Sequence, residues 1–393
     1  MNNIEDKTEK KCTGCGACVS ICPVSAIEYK INENGFYQTY VNKEKCIKCG
    51  ICKKVCIKFQ ENVELKEIVK GKTVSAQSKN KENLIKCTSG GIAFEISKYG
   101  IENGYKVVGT IYDYKENIAK TIIAENYEQL NLLRGSKYIQ SNTAEAYKKI
   151  IDLCKDDINN KFMIFGTPCQ IDGILRVIKE KKLKNEILTI DLFCHGVPSY
   201  LVWEKYLKFL NEEKNIKNIN SLVFRDKNLG WHKYYLRVKD YNGNEYIGCS
   251  RTDIFYKAFL DNILLNDSCQ TCLYRKKYTN ADIRLGDFWG KRYSNREDGV
   301  SAVVCNSEKG ENLLNLLIDL DRIEVIEKLS TEECLEAQST DDYGQQKLRK
   351  DAFEKLKEDK KLKKIISSYR IKMPIKKQIK YVAKEIISLI QKI

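Results

Sequence analysis

Two cysteine runs with one spacing constrain this chain more than anything else in it. Residues 12–23 read CTGCGACVSICP and residues 46–56 read CIKCGICKKVC. Both follow C-x2-C-x2-C-x3-C, and each cysteine of the first run recurs 34 residues later. Thiolates at this spacing wrap three corners of an iron–sulfur cube, while the fourth cysteine of each run reaches across to the other cube. The pattern predicts two 4Fe-4S clusters, one on Cys12, Cys15, Cys18 and Cys56, the other on Cys46, Cys49, Cys52 and Cys22. Gly14, Gly16 and Gly50 permit the tight turns between ligands. Pro23 closes the first run as the bacterial pattern does, whereas Ile57 stands in the equivalent place after the second. Zinc is the competing reading, but zinc ribbons use two well-separated C-x2-C pairs rather than three cysteines within seven residues.

This segment resembles a bacterial two-cluster ferredoxin. Seventeen cysteines, an odd number, accompanied by 22 glycines and 4 prolines in 393 residues, do not describe a small secreted disulfide scaffold. The opening MNNIEDKTEKK is polar, so no signal peptide is expected, and no apolar run approaches ~18 residues. The thiols are therefore expected in a reducing cytoplasm, binding metal or doing redox chemistry. Apolar residues at 42% and charged residues at 31% suit a globular chain, and ~100–200 residues per domain predicts two or three units.

After a ferredoxin-type segment at 1–58, residues 59–80 read as a lysine-rich linker. Beyond it, β-branched runs at 106–113, 161–166, 187–193, 221–224, 282–287 and 302–305 alternate with helical periodicity at 92–99, 171–179, 200–210, 253–264 and 308–320. That alternation predicts an α/β domain over 81–340. Residues 234–239 and 246–250, around Asn242-Gly243, read as an inserted hairpin. There is no G-x-G-x-x-G, but Thr88-Ser89-Gly90-Gly91 precedes a helix and offers either a phosphate cradle or an ordinary helix cap. Cys169 falls at a strand-to-helix turn in Gly166-Thr167-Pro168-Cys169, and the next strand ends in Phe193-Cys194-His195. A Cys269-x2-Cys272 pair follows. One C-x2-C pair and two cysteines at adjacent strand ends can supply the four corners of a third cube. Alternatively, Cys169 at a helix N-terminus with His195 as base could act as a nucleophile, giving a thiol reductase or transferase.

The fragments CTSGGIAFEISKYGIENGYKVVG, LRGSKYIQSN, FGTPCQIDGI, LFCHGVPS, FRDKNLGW, SCQTC and ADIRLGDFWG occur in the order found in the beta subunits of coenzyme F-420 (deazaflavin) hydrogenases and dehydrogenases, and over about 84–340 the chain resembles that family. The resemblance implies an FAD-binding α/β core carrying its own cluster on Cys169, Cys194, Cys269 and Cys272. It further implies that Ser89, Gly90 and Gly91 cradle flavin phosphates, that Lys137, Tyr138, Gln140 and Ser141 line the flavin, and that Gly166, Thr167, Pro168, Gly286, Asp287 and Trp289 shape the pocket. His195, Lys137 and Asp287 are the catalytic candidates. Arg225 and Trp231 would bind a flavin or substrate anion, or form a solvated turn. Cys154, Cys249, Cys305 and Cys334 read as packed thiols, while Cys87, just before the Ser-Gly-Gly turn, could react as a thiolate or simply be small as a thiol.

The formal charge of +15 is concentrated at the end, since 347–393 holds 16 Lys and Arg against 5 Asp and Glu. Residues Ile375, Ile379, Val382, Ile386, Leu389 and Ile393 recur at helical spacing among lysines, which predicts a basic amphipathic helix in a tail at 341–393. Such a helix could pack on its own domain, dock a partner subunit or lie on the inner face of a membrane. Nucleic acid is excluded, because no aromatic stacking platform accompanies the charge. The whole sequence reads as a cytoplasmic iron–sulfur flavoprotein oxidoreductase, α+β and α/β in class. It would move electrons between a ferredoxin-like or deazaflavin donor and a small-molecule substrate. A non-catalytic electron-transfer subunit is the alternative.

Overall fold

Left-handed glycines start both helices of the N-terminal segment. Gly16 (φ 77°) leads into α1 (Ala17–Ile21) and, after the hairpin of β1 (Ile27–Ile31) and β2 (Tyr37–Val41), Gly50 (φ 76°) leads into α2 (Ile51–Lys54). A side chain would be strained at either position, and glycine is the residue that adopts it without cost to sterics. The computed structural model describes residues 2–7, 12–59, 67–68, 71–275, 278–336, 338, 342–343 and 346–369.

The next strand, β3 (Thr73–Ser78), falls within the stretch read from sequence as a linker. It is buried along its whole length and lies between two antiparallel neighbours. The sequence TVSAQS has no run of large apolar residues to announce a strand, yet small side chains are what a crowded central position accepts. Then come α3 (Lys81–Lys86), α4 (Ile92–Glu102), β4 (Tyr105–Asp113), β5 (Ile118–Ala124), α5 (Tyr127–Leu133), β6 (Ser141–Asn142), α6 (Ala144–Asp156), β7 (Lys161–Phe165), α7 (Pro168–Lys181), β8 (Ile187–Leu192) and α8 (Tyr200–Lys214). A meander of β9 (Ile219–Asp226), β10 (Tyr235–Asp240) and β11 (Glu245–Cys249) forms its own sheet, so the expected strand at 221–224 pairs with the hairpin rather than with the main sheet. The chain continues through α9 (Ile254–Leu260), α10 (Asp267–Gln270), β12 (Ile283–Asp287), β13 (Ser301–Cys305), α11 (Glu308–Asp319), β14 (Ile323–Leu329), α12 (Thr331–Glu336), α13 (Gln346–Lys357) and α14 (Leu362–Tyr369).

Among the described residues the main sheet has nine strands in the order β14-β3-β13-β12-β8-β7-β4-β5-β6. Its centre, β12-β8-β7-β4, is parallel, and antiparallel strands flank it. Apolar residues of α4, α5 and α11 cover one face, while α1, α6 and α7 contribute to the cluster on the other. The N-terminal segment is thus part of the layer that shields the sheet. A third apolar cluster joins α8, α9, β9 and β10 to Phe36 and Tyr37. It also takes in Ala352, Phe353, Leu356, Leu362, Ile365 and Ile366, so the described part of the tail is helical and packs on its own chain. The basic helix expected at 375–393 lies outside the described residues. Among the described residues no helix is long and apolar enough to cross a membrane.

Candidate metal centre

The two cysteine runs build two cavities by exchanging their last members. One is lined by Cys12, Cys15, Cys18 and Cys56, the other by Cys22, Cys46, Cys49 and Cys52. Among the described residues no three Cys, His, Asp or Glu side chains converge tightly enough for a single ion. The thiols are instead spread around cavity walls, as a cube requires. Burial pushes the Cys18 thiol far above its ordinary range, and the neighbouring Cys15, Cys12 and Cys56 push it further. Cys56 rises to about 12 for the same reasons. In the other set burial raises Cys52, with Cys49 and Cys22 adding to it. Crowded, desolvated thiols resist ionisation unless a cationic centre takes the charge, so metal binding and proton release are coupled here. Amide donors already face the sulfurs: Gly14 N to Cys12 Sγ at 3.3 Å and Ala26 N to Cys22 Sγ at 3.2 Å. Such donors favour thiolate and tune cluster potentials.

A third thiol group forms at the C-terminal ends of two parallel strands. Cys169 is in the first turn of α7 after β7, Cys194 follows β8, and Cys269 and Cys272 flank the end of α10. Burial pushes Cys169 well above its usual value, opposed by Thr167, with Cys15, Cys194 and Cys272 pushing further. Cys194 rises to about 12 through burial and then Cys269 and Cys272. A helix N-terminus would lower the Cys169 thiol, but burial acts the other way and dominates. Gly196 has φ 131°, and a Cβ there would meet the Cβ of Cys269 at 3.2 Å. The structure therefore brings together all four cysteines of the core set and sets Cys15 beside them.

The N-terminal segment is fastened to the sheet at this point. Gln140 accepts from Tyr37 N at 2.8 Å and donates to Thr13 O at 3.2 Å, while Thr143 donates to Cys15 O at 2.8 Å. Gln140 and Ser141, expected to line a flavin, are committed to this joint, Ser141 accepting from Gln170 at 2.9 Å. Thr167 N donates to the Gln170 side chain at 3.0 Å, and Pro168 opens α7, so Gly166, Thr167 and Pro168 shape the turn that presents Cys169.

The remaining expected flavin residues divide. Ser89 donates to Val300 O at 2.9 Å, Gly90 N donates to Ser301 Oγ at 3.0 Å, and a Cβ on Gly90 would sit 2.4 Å from Ala76 O. These groups hold the turn against β3 and β13. Lys137 donates to the carbonyls of Leu132, Leu133, Arg134 and Gly135 at 2.9–3.1 Å, capping α5. Burial draws its ammonium down to about 7, and the helix terminus acts the other way. Gly286 packs on Phe193. Asp287 accepts from Arg225 and, at 2.8 Å, from Trp231 Nε1, so it is a paired carboxylate. His195 approaches Tyr343 through Nδ1 at 3.2 Å and Phe259 at 4.9 Å between rings. Burial, helped by Arg275, lowers it to about 4, leaving it neutral at pH 7.

Tyr138 and Trp289 do come together, around Arg225. The guanidinium stacks over Tyr234 at 4.5 Å and Trp289 at 4.6 Å, and Trp231 stacks on Trp289 at 5.6 Å. Arg225 is 4% exposed and Trp231 fully buried, so FRDKNLGW is no solvated turn. Arg225 Nε and Nη2 have no hydrogen-bond partner, nor does the nearby Tyr256 hydroxyl. Orphaned buried donors are costly, and the Tyr138 hydroxyl stands near enough to Arg225 to interact with it. Next to them Lys227 donates to Ser89 O at 2.5 Å and Asp298 O at 2.6 Å.

Parallel-strand ends carrying thiols, joined to a two-set cysteine module, define an iron–sulfur protein. Residues 11–58 match the model of the 4Fe-4S dicluster domain, and residues 159–330 match the model for the C terminus of the coenzyme F420 hydrogenase/dehydrogenase beta subunit. Over 159–330 the chain is thus similar to that beta-subunit family, and over 11–58 to the 4Fe-4S dicluster domain. A chain of the xenon-derivatised F420-reducing NiFe hydrogenase complex from Methanosarcina barkeri is 21% identical, with 79% of this chain and 94% of that chain covered and a TM-score of 0.48. No curated protein matches the chain.

Proposed function

We propose that this chain is an iron–sulfur flavoprotein oxidoreductase. Electrons would pass from a donor through the dicluster module to a third 4Fe-4S cluster on Cys169, Cys194, Cys269 and Cys272, then to FAD and a substrate, or in reverse. The observation that supports the reading is the packing of the Cys15 sulfur against Gly173, one helical turn beyond Cys169 in α7. Short spacing between successive centres is what one-electron transfer needs.

The aromatic group around Arg225 suits a flavin, since its ring faces can stack on an isoalloxazine and its orphaned donors match flavin carbonyls. Tyr138, Arg225 and Trp289 would hold the ring, with Asp287 fixing Arg225 and Lys227 adding a second cation. Bound flavin would exchange single electrons with clusters and electron pairs, as hydride, with a substrate. Neutral His195, between Cys194 and Phe259, would donate or accept a proton. Lys137 would act by positioning the loop that presents Tyr138. Coenzyme F-420 is the substrate that the family resemblance suggests.

Anaerobic purification with iron, sulfide and flavin counts tests this. About twelve irons, from three four-iron cubes, and one FAD per chain are expected. Stoichiometric zinc without flavin would overturn it. Clusters that reduce normally in a protein that alone reduces no acceptor would instead identify a non-catalytic electron-transfer subunit.

A further inference from the structure

We propose that the Cys22–Cys46–Cys49–Cys52 set is the electron port of the chain, and that the lysines around it are the docking surface for an acidic one-electron carrier protein. This rests on the reading of the cysteine sets as clusters. The two runs share their cysteine spacing but not their surroundings. Residues 12–23 contain no charged side chain, whereas residues 42–54 contain five lysines against Glu44 alone. Identical ligand geometry does not need that difference, so it must serve what each run faces.

The structure shows what that is. Around the first run Ala17, Cys18 and Ile21 are buried in the apolar layer shared with α6 and α7, and Cys15 adjoins the core thiols. Around the second run Cys49 is exposed, Ile47 is 61% exposed, and Lys43, Lys45 and Lys48 are exposed beside it. Cys12, Cys15 and Cys56 of the inner set are half-buried and Cys18 is buried, whereas the outer set presents Cys49 fully exposed, so among the described residues the outer set is the more accessible to another protein. Asn2 Nδ2 donates to Lys48 O at 3.1 Å, and its side chain sits against Gly50, so this loop is held in shape before any partner arrives.

An apolar tip ringed by like charge fits a weak, fast encounter. The lysines steer an acidic protein from beyond contact distance, and Ile47 supplies the dry contact at the shortest route to the metal. A carrier of opposite charge is selected, and a basic one is repelled.

The test uses holoprotein, its K43E/K45E/K48E variant, and an acidic two-cluster ferredoxin as probe. Equilibrium binding is titrated with both proteins oxidised, and electron transfer from the reduced probe is followed by stopped flow. Affinity and second-order rate should each fall about tenfold between about 50 and 200 mM salt, and about tenfold in the variant at low salt. Iron content and reduction by dithionite should not change. Binding that ignores salt and charge reversal would overturn the proposal, as would equal transfer from a basic carrier. So would lysine-dependent binding to anionic lipid vesicles with none to the ferredoxin. A wild-type iron count below about eight would fault the cluster reading instead, and the titration would still decide the docking surface.

Discussion

The Cys15 sulfur lies against Gly173 of α7, so that a methyl group on Gly173 would sit 3.0 Å from Sγ and 3.2 Å from the Ala17 Cβ. Glycine inside a helix ordinarily weakens it by ~1 kcal/mol relative to alanine. Here the missing side chain is what lets the dicluster module settle on the helix that carries Cys169. Gly173→Ala should therefore bring no stabilisation, and Gly173→Val should destabilise by about 1–3 kcal/mol through overpacking. Thermal unfolding read together with iron content checks this. A Gly173→Val protein with wild-type midpoint and iron would show that the two thiol sets are not in contact.

Gly173 also shows where sequence reading stopped. The cysteine runs revealed both N-terminal sets because their spacing is a local property, and the crossing of Cys22 and Cys56 follows from the same rule. The parallel strands around β7 and β8 were equally legible, being short β-branched runs between helices. β3 was not, because a strand of small and polar residues carries no periodic signal. Nor was the joint between module and sheet, since Gln140 meets Thr13 across 127 residues and nothing beside either one announces the other. The intrachain partners of Gln140, Ser141, Ser89 and Gly90 were hidden for that reason: single polar residues and glycines do not state their partners. Arg225 carries a better signal, a charged residue directly following Phe224, but only its burial separates a binding group from a solvated turn.

Replacing Cys272 separates the core set from the module. Cys272→Ala should remove about four of about twelve irons and leave the N-terminal eight in place. Iron analysis and low-temperature spectra of the reduced protein read the loss directly. An unchanged count would refute the ligand set.

Arg284 is fully buried on β12 opposite Asp191 of β8, its register partner. Nε and Nη2 donate to the Asp191 carboxylate at 2.7 and 2.6 Å, and the remaining donors reach Tyr274 O and Tyr278 O. This pair ties the two strands to the segment that follows Cys272. Asp191→Ala would leave the guanidinium uncompensated in the interior, at a cost of about 3–5 kcal/mol. Denaturant unfolding should show that loss, and Asp191→Ala/Arg284→Met should recover part of it. A cost below ~1 kcal/mol for the single change would mean the pair is hydrated.

Lys227 gives a pH signature. Burial lowers its folded pKa from 10.5 to about 8. Between those values the unfolded chain keeps the proton while the folded chain releases it, so the contribution of this group to stability rises with pH over that window. Wild type should gain on Lys227→Met between pH 8 and 10.5 by up to about 3 kcal/mol. The carbonyls of Ser89 and Asp298 pull the other way and reduce the figure. Matched unfolding curves at successive pH values measure the gap, and a constant gap would place the ammonium in contact with water.

Arg225 links the fold to the proposed flavin. Its Nη1 is held by Asp287 while Nε and Nη2 remain open, so a bound acceptor gains two charge-assisted hydrogen bonds without the chain losing any. Arg225→Lys keeps the charge but loses the planar fork and the stacking on Tyr234 and Trp289. Arg225→Met keeps the bulk and loses both. Flavin content should therefore fall in both variants, and more in Arg225→Met, while iron content stays at the wild-type value. Where flavin is retained in Arg225→Met, its reduction potential should drop, because a cation beside the ring favours the reduced anion and that variant has lost it. A variant with full flavin and an unmoved potential would mean that the orphaned donors face ordered water, and the flavin would have to be sought elsewhere on the sheet.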